Sequence, residues 1–314
     1  MVAREFNSFP RVTSLSFETG IDTIPYESSS AAGYGYFGRK GEDITAHGLA
    51  AARKRIVDNG MPDIGFMRTQ LARLTLIKVR NVFGEAFHYG LIEGLSAYPV
   101  LPVFKNLDTF YLIGKDPTFG VPAILDEISH DCRWFMVLDW SRFDALVQHW
   151  EIDVTFSCIE SMVEFPTHLT RVAFEYAWTL FKKHKLIVPD GMLWMRDSEI
   201  PSESYFTNLV GSSIINYVKL RYLCLRSNLP TIRIRVQGAD SLTGIGEASP
   251  PDIRFFAEIG EPLGWTVKPW KCTIFLHPNE IQFLGRSACV RYNTRYRLKA
   301  LRLLCFLEFK VYNP

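Results

Sequence analysis

Apolar and polar residues repeat along the chain with two periods, and the changes of period mark its elements. In TIRIRVQGADSLTG (231–244) they alternate one for one, as in a strand with one buried face, and the run breaks at Gly238–Ala239 in a tight turn. Trp134–Leu138 is an unbroken apolar run that ends at Asp139, the pattern of a buried strand, and a helical stretch follows it. RTQLARLTLIKVR (68–80) alternates like a strand, and the chain turns helical around 84–96. Helical spacing also runs through DITAHGLAAARKRIVDNG (43–60), with Asp43 or Thr45 as N-cap and Gly60 as stop. It returns in THLTRVAFEYAWTLFKKHKLIV (167–188), whose last turns carry cations that suit the helix dipole. DSEIPSESYFTNLVGSSIINYVKLRYLCLR (197–226) reads as a loop and then a long helix with Thr207, Gly211 and Asn216 in its first turns. Short strands are expected in GWTVKPWKCTIF (264–275) and IQFLGRSAC (281–289). A C-terminal helix is expected in RYRLKALRLLCFLEF (295–309), and no internal repeat or long linker is visible.

Composition changes this picture little. With 314 residues, 47% of them hydrophobic and 22% charged, the chain can bury one large core or two smaller ones and lies outside the disordered range. A formal charge of +2 neither requires nor excludes a nucleic-acid partner, because a basic groove can be masked by acids elsewhere. The six cysteines are scattered without a CxxC pair, which argues for reduced thiols and against a zinc site or a disulfide framework. The N-terminus has no apolar signal region, and no window approaches the roughly 18 apolar residues of a membrane span. The expectation is a soluble chain that is not exported.

The candidate chemistry falls into three places. Asp139 and Asp144 lie where a strand meets a helix, Ser202, Thr207 and Asn216 lie around a loop-to-helix junction, and Asp240 lies on a hairpin turn. Two strand-end carboxylates from distant parts of a chain converge on divalent cations only if their strands are neighbours in one sheet, and such a clamp suits in-line phosphoryl displacement. Arg68, Arg73, Lys78 and Arg80 crowd one strand, as on a basic edge strand or a phosphate-gripping one. Residues 1–45 are rich in Ser, Gly and Tyr and read as a loop, either a mobile arm or a substrate-lining segment.

In that order the segments resemble the RNA-dependent RNA polymerases of partitiviruses, double-stranded RNA viruses of plants and fungi. DWSRFD (139–144) matches motif A of that family, PSESYFTNLVGSSIIN (201–216) motif B and QGADSL (237–242) motif C. LGWTVKPWK (263–271) resembles motif D, FLGRS (283–287) motif E, KVRNVFG (78–84) motif F, and SSSAAGYGYFGRKGE (28–42) a fingers loop. The resemblance implies an α+β right-hand polymerase fold whose palm is a small antiparallel sheet backed by helices. It implies partial fingers over 1–130, a palm over 131–290 with a fingers insertion near 161–200, and only the start of a thumb over 291–314. It makes Asp139 and Asp240 the ligands of Mg²⁺ or Mn²⁺. Lys271, with Lys268 as the lesser choice, becomes the general acid toward pyrophosphate. Arg73, Lys78 and Arg80 would hold the triphosphate, and Asp144 and Asn216, supported by Ser202 and Thr207, the nucleotide ribose. Ordinary capping remains open for Ser202 and Thr207, and Tyr34, Tyr36 and Phe37 would be either template-stacking residues or packing anchors. The implied partners are an RNA template and primer or nascent strand, nucleoside triphosphates and a viral capsid protein, with no membrane. The implied setting is the host cytoplasm, within the virion core.

Two departures from the family pattern bear on activity. Motif B reads Ser202–Glu203 where the family has Ser-Gly, and motif C reads Gly238–Ala239–Asp240 where it has Gly-Asp-Asp. In direct register Ala239 replaces a metal ligand, unless the turn shifts by a residue and Asp240 takes that place. The expectation is a polymerase of reduced or lost activity; the alternative is a polymerase-like relic that keeps only RNA or nucleotide binding. Without a thumb, the C-terminal helix would expose apolar surface and call for a partner.

Overall fold

The computed structural model describes residues 2–42, 48, 52, 60–70, 78–196, 198–229, 232–289 and 292–305. The helix expected over 43–60 and the cation Arg73 therefore lie outside the described residues, isolated positions of the former apart. The chain divides into two compact units: Met1–Thr69, Val79–Ile113 and Arg142–Val218 form the first, and Gln70–Lys78, Gly114–Ser141 and Lys219–Pro314 the second.

The first unit is built on helices. Phe87–Asn106 buries residues on nearly all sides, from Phe87 and Leu91 to Val103 and Phe104, as a helix at the centre of a core must. Gly94 lets it approach the 20–25 loop, since a Cβ there would fall 2.4 Å from Ile24 Cγ2. His149–Met162 and His168–Lys182 pack through Phe156, which stacks on Trp178 at 5.5 Å. Asp153 accepts from both Trp178 Nε1 (2.8 Å) and Lys182 Nζ (2.7 Å), fixing the pair. The second of these helices starts where Thr167 accepts from the Thr170 amide. It stops earlier than its spacing predicts. His184–Ile187 is a strand of alternating burial, because period two and the β-branched Ile187–Val188 win over the preceding helical run. That strand runs parallel to Asp63–Gln70 and antiparallel to Leu193–Arg196 in a four-stranded sheet completed by Lys78–Gly84.

The long helix expected after residue 206 has a different start. Thr207–Ile214 winds as a π-helix before Ile215–Arg226 becomes α-helical. Gly211 lies in the π segment, where a Cβ would meet Ile200 Cγ2 at 2.4 Å. Wide winding of this kind is rare and tends to occur at functional sites.

The second unit contains a four-stranded, wholly antiparallel sheet in the order Thr273–Phe275, Trp134–Val137, Asp240–Ile245, Ile232–Gln237. The helix Pro117–Asp131, capped by Asp116, covers one face. Gly244 permits that contact, since a Cβ would fall 2.2 Å from Ile128 Cγ2 and 2.7 Å from Cys132 Sγ. Arg235, which is 7% exposed, reaches Glu127 on the helix at 2.7 Å, and Arg233 reaches Asp131 at 3.0 Å. The expected strand over 281–289 is shorter than predicted: Ser287–Cys289 pairs with Tyr292–Thr294 after a turn at Leu284–Gly285 with φ of 51° and 70°. Helix Arg297–Cys305 follows, with Leu298 and Leu301 exposed.

Gly244→Ala is expected to lower stability by about 1–3 kcal/mol, the usual cost of overpacking. Chemical denaturation monitored by far-ultraviolet circular dichroism checks it, and an unchanged midpoint would mean that the helix yields freely.

Candidate active site

Two strands of the second unit bring distant acids together. Trp134 faces Ile245, Phe135 faces Gly244 and Met136 faces Thr243. Beyond the last pair, counting on in the same register brings Asp139 toward Asp240; the Ser241 hydroxyl donates to the Leu138 carbonyl at 3.5 Å, and the charge of Asp139 acts on Asp240. Gln237 pairs with Asp240, so the hairpin closes through Gly238 and Ala239 alone. Gly238 takes φ 61° while Ala239 keeps a negative φ, the backbone pattern of a II′ hairpin turn, which calls for glycine at its first corner. Ala239 thus stands at the corner beyond the last pair, and Asp240 is the carboxylate across from Asp139.

The electrostatics follow from this pairing. Partial burial and the charge of Asp139 together raise the Asp240 carboxyl above its ordinary range. Lys271 Nζ lies 3.4 Å from Asp139 Oδ2. Both side chains are about half exposed, so the pair adds little stability and its interest lies in what it positions. The segment that carries Lys271 is tied to Asp139 through its backbone: the Lys268 amide donates to the Asp139 carbonyl (3.2 Å) and the Ser141 amide to the Thr266 carbonyl (2.8 Å). Cys272, which the sequence treats only as one more reduced thiol, accepts from the Asp139 amide through Sγ at 3.3 Å. Burial raises its thiol pKa, so it serves as a neutral packing partner.

Of the remaining candidates, Asp144, Ser202, Thr207, Asn216, Arg80 and the loop aromatics belong to the first unit. Asp144 opens a short 3-10 turn with its side chain exposed, and its carbonyl accepts from the Ile200 amide at 3.1 Å. Ser202 is exposed, Thr207 donates its hydroxyl to the Pro201 carbonyl, and Asn216 is fully buried at the start of the α-helix. In that bond Thr207 is the donor, not the acceptor that an N-cap would be, and it ties the start of the π-helix to the loop at Pro201. Lys78 and Arg80 lie on the strand Lys78–Gly84, but their side chains are outside the described residues. Of the loop aromatics, Phe37 is 96% exposed, whereas Tyr36 hydrogen-bonds His88 Nδ1 at 2.8 Å and packs on the core as an anchor.

Motif spacing gives no warning of a second group of acids in the first unit, from Asp63, Glu85, Glu93 and Glu203. Burial, then Glu93 and Glu203, push Asp63 up to about 8. Burial raises Glu93 to about 7 against the lowering effect of bonds from Ser204 and the Tyr205 amide, and Glu85 is raised well above the ordinary value by the same burial and neighbours. Glu203, the residue in place of a motif B glycine, is raised by burial and drawn back by Lys40. Folded pKa values above the unfolded ones mean that the native state holds protons the unfolded chain has released, so stability falls as pH rises from about 4 through 8. Asp63→Asn is expected to remove on the order of 1–2 kcal/mol of that fall. Thermal unfolding at pH 6 and pH 8.5 checks it, and equal slopes for parent and variant would refute the assignment.

A family model described as viral RNA-dependent RNA polymerase matches residues 1–313. The RNA-directed RNA polymerase of Atkinsonella hypoxylon virus (isolate 2H) is 31% identical over 80 residues, which are 26% of this chain and 12% of that protein. The chain therefore aligns with only a small part of that relative's length. The Sicinivirus 3Dpol RNA dependent RNA polymerase superposes with a TM-score of 0.76 at 15% identity, over 93% of this chain and 67% of its own. At that identity the likeness shows the fold, the α+β fold that the motifs imply. With a family model spanning nearly every residue, this chain belongs to the viral RNA-dependent RNA polymerases.

Proposed function

We propose that this chain performs template-directed nucleotidyl transfer on RNA, at a rate held down by an incomplete metal site. The observation that carries this reading is the approach of Asp139 to Asp240, close enough for one charge to act on the other, with Lys271 3.4 Å from Asp139. The reaction joins the 3′-hydroxyl oxygen of the growing strand to the α-phosphorus of a nucleoside triphosphate and releases pyrophosphate. Lys271 would give its proton to the departing pyrophosphate oxygen. Asp144 and Asn216 are assigned to the ribose, and Arg73, Lys78 and Arg80 to the triphosphate.

The donor set fits a divalent cation in part. The cost that the charge of Asp139 adds to ionising Asp240 would be relieved by a bound cation, and Mg²⁺ or Mn²⁺ is content with two carboxylates if phosphate oxygens and water supply the rest. Among the described residues no third His, Cys, Asp or Glu completes the set. Asp139 and Asp240 would hold the ion, which when bound neutralises charge on the phosphates. The methyl group of Ala239 contributes no ligand at the turn corner.

A relic that binds RNA or nucleotide without synthesis is the second reading, favoured by Ala239 and by Glu203. Substrate partners on the first reading are RNA template, primer or nascent strand and nucleoside triphosphates, with a capsid protein as neighbour. The working compartment is then the host cytoplasm within the virion core. Among the described residues no helix is long and apolar enough to cross a membrane.

Primer extension with Mg²⁺ or Mn²⁺ tests the proposal. The parent chain is expected to give slow synthesis, Asp139→Asn none, and Ala239→Asp a rise of about tenfold or more, because a third carboxylate restores part of several kcal/mol of charge stabilisation. Adding Glu203→Gly should raise it further. Lys271→Ala is expected to cut the rate by about a hundredfold, within the span of general-acid contributions. Failure of both the parent and Ala239→Asp/Glu203→Gly to extend any primer, with RNA still bound, would leave the relic reading in place.

A further inference from the structure

One buried cation in the second unit is absent from the motif chemistry. Lys219 lies on the helix Ile215–Arg226, one turn after Asn216, and is only 3% exposed. Its Nζ sits 5.3 Å from the centroid of the Trp140 ring and 5.4 Å from that of Trp265, and the two indoles meet edge to face at 6.4 Å and 80°. Tyr222, three residues along the same helix, meets the Trp265 ring edge to face at 5.6 Å. A buried ammonium is costly, and a methionine would fill similar volume without a charge. The indole faces repay part of that cost, since a desolvated cation is drawn to their negative faces.

What the two rings hold matters more than the rings themselves. Trp140 directly follows Asp139, and Trp140 pairs with Val267 in an isolated bridge. Trp265 opens the segment that bonds back to Asp139 through Lys268 and continues to Lys271. We propose that Lys219 is a positioning residue, whose ammonium between Trp140 and Trp265 clamps the Asp139 segment against the Lys271 segment and so sets the separation of these two groups. It touches no substrate and acts through the two indoles. The proposal rests on the assignment of Asp139 and Lys271 under the proposed function for its meaning, but the clamp is measurable without synthesis.

Three measurements on the full chain test it. In protein labelled with 5-fluorotryptophan, with Trp140→Phe and Trp265→Phe to assign the signals, Lys219→Met should shift both ¹⁹F resonances and Lys219→Arg should largely restore them. Unmoved resonances would overturn the clamp. Calorimetric Mn²⁺ titration should show Lys219→Met weakened by about tenfold, the usual effect of losing a residue that orients metal ligands, with thermal stability close to that of the parent and recovery in Lys219→Arg. Equal Mn²⁺ affinity in parent and Lys219→Met would overturn the positioning role. In the Ala239→Asp background the added Lys219→Met should lower kcat by about tenfold and leave the nucleotide KM within about twofold, because an indirectly acting residue affects the reacting geometry more than ground-state binding. A change confined to KM would overturn it. If the parent takes up no Mn²⁺ and Ala239→Asp makes no RNA, the polymerase reading fails, while the ¹⁹F signals still decide the clamp.

Discussion

The pairing of Trp134–Val137 with Asp240–Ile245 is the constraint on which the site depends. A strand slipped by one residue turns every side chain to the opposite face, which would carry Asp240 away from Asp139 and, both faces being buried, bring Thr243 or Ile245 to the place where only Gly244 fits. The register is pinned from behind. Gly244 lies under Ile128 and Cys132 so closely that no Cβ fits, and its neighbours Thr243 and Ile245 both carry branched Cβ atoms. A helix with no part in the chemistry, Pro117–Asp131, thereby decides which carboxylate faces Asp139.

Much of this was legible in the sequence. The hairpin over 231–244, the buried strand ending at Asp139 and the helical stretches around 84–96 and from 167 follow from the spacing of their apolar residues. Matching Ala239 to the ligand position by counting along a motif is less informative, because counting does not say where a two-residue turn closes. That depends on Gly238 at φ 61° and on the grip at Gly244, one a backbone angle and the other a contact across the sheet. Lys219 was hidden for a similar reason: on a helix a lysine reads as solvated, and only the convergence of Trp140 and Trp265 from distant segments buries it. The π winding of Thr207–Ile214 likewise leaves a helical pattern in sequence and reveals itself only in the backbone.

The acids of the first unit show the same limit from the other side. Asp63, Glu85, Glu93 and Glu203 come from four separate stretches, none of which forms an acidic run. Burial, with the charges of Glu93 and Glu203 acting on Asp63, makes Asp63 and Glu93 proton-holding groups near neutral pH and raises Glu85 well above its ordinary value, and Glu203, raised by its own burial, lies beside them at the position where the family carries glycine. A glutamate there does not need the backbone freedom of glycine, and its charge is moderated by Lys40. The substitution is thus absorbed electrostatically in its own surroundings, which separates its effect from that of Ala239.

That separation bears on how the chain departs from its family. Ala239 leaves the fold untouched, because the turn asks for glycine only at residue 238 and any residue of ordinary φ suits the second corner. What it removes is negative charge at a place where Asp139 and Asp240 already oppose each other. A third carboxylate would raise that repulsion in the protein without metal and strengthen the hold on a cation once one is bound, so it is costly for stability and useful only for catalysis. A chain no longer selected for fast synthesis would lose such a residue before it lost Gly244, whose replacement disturbs packing whether or not any reaction takes place.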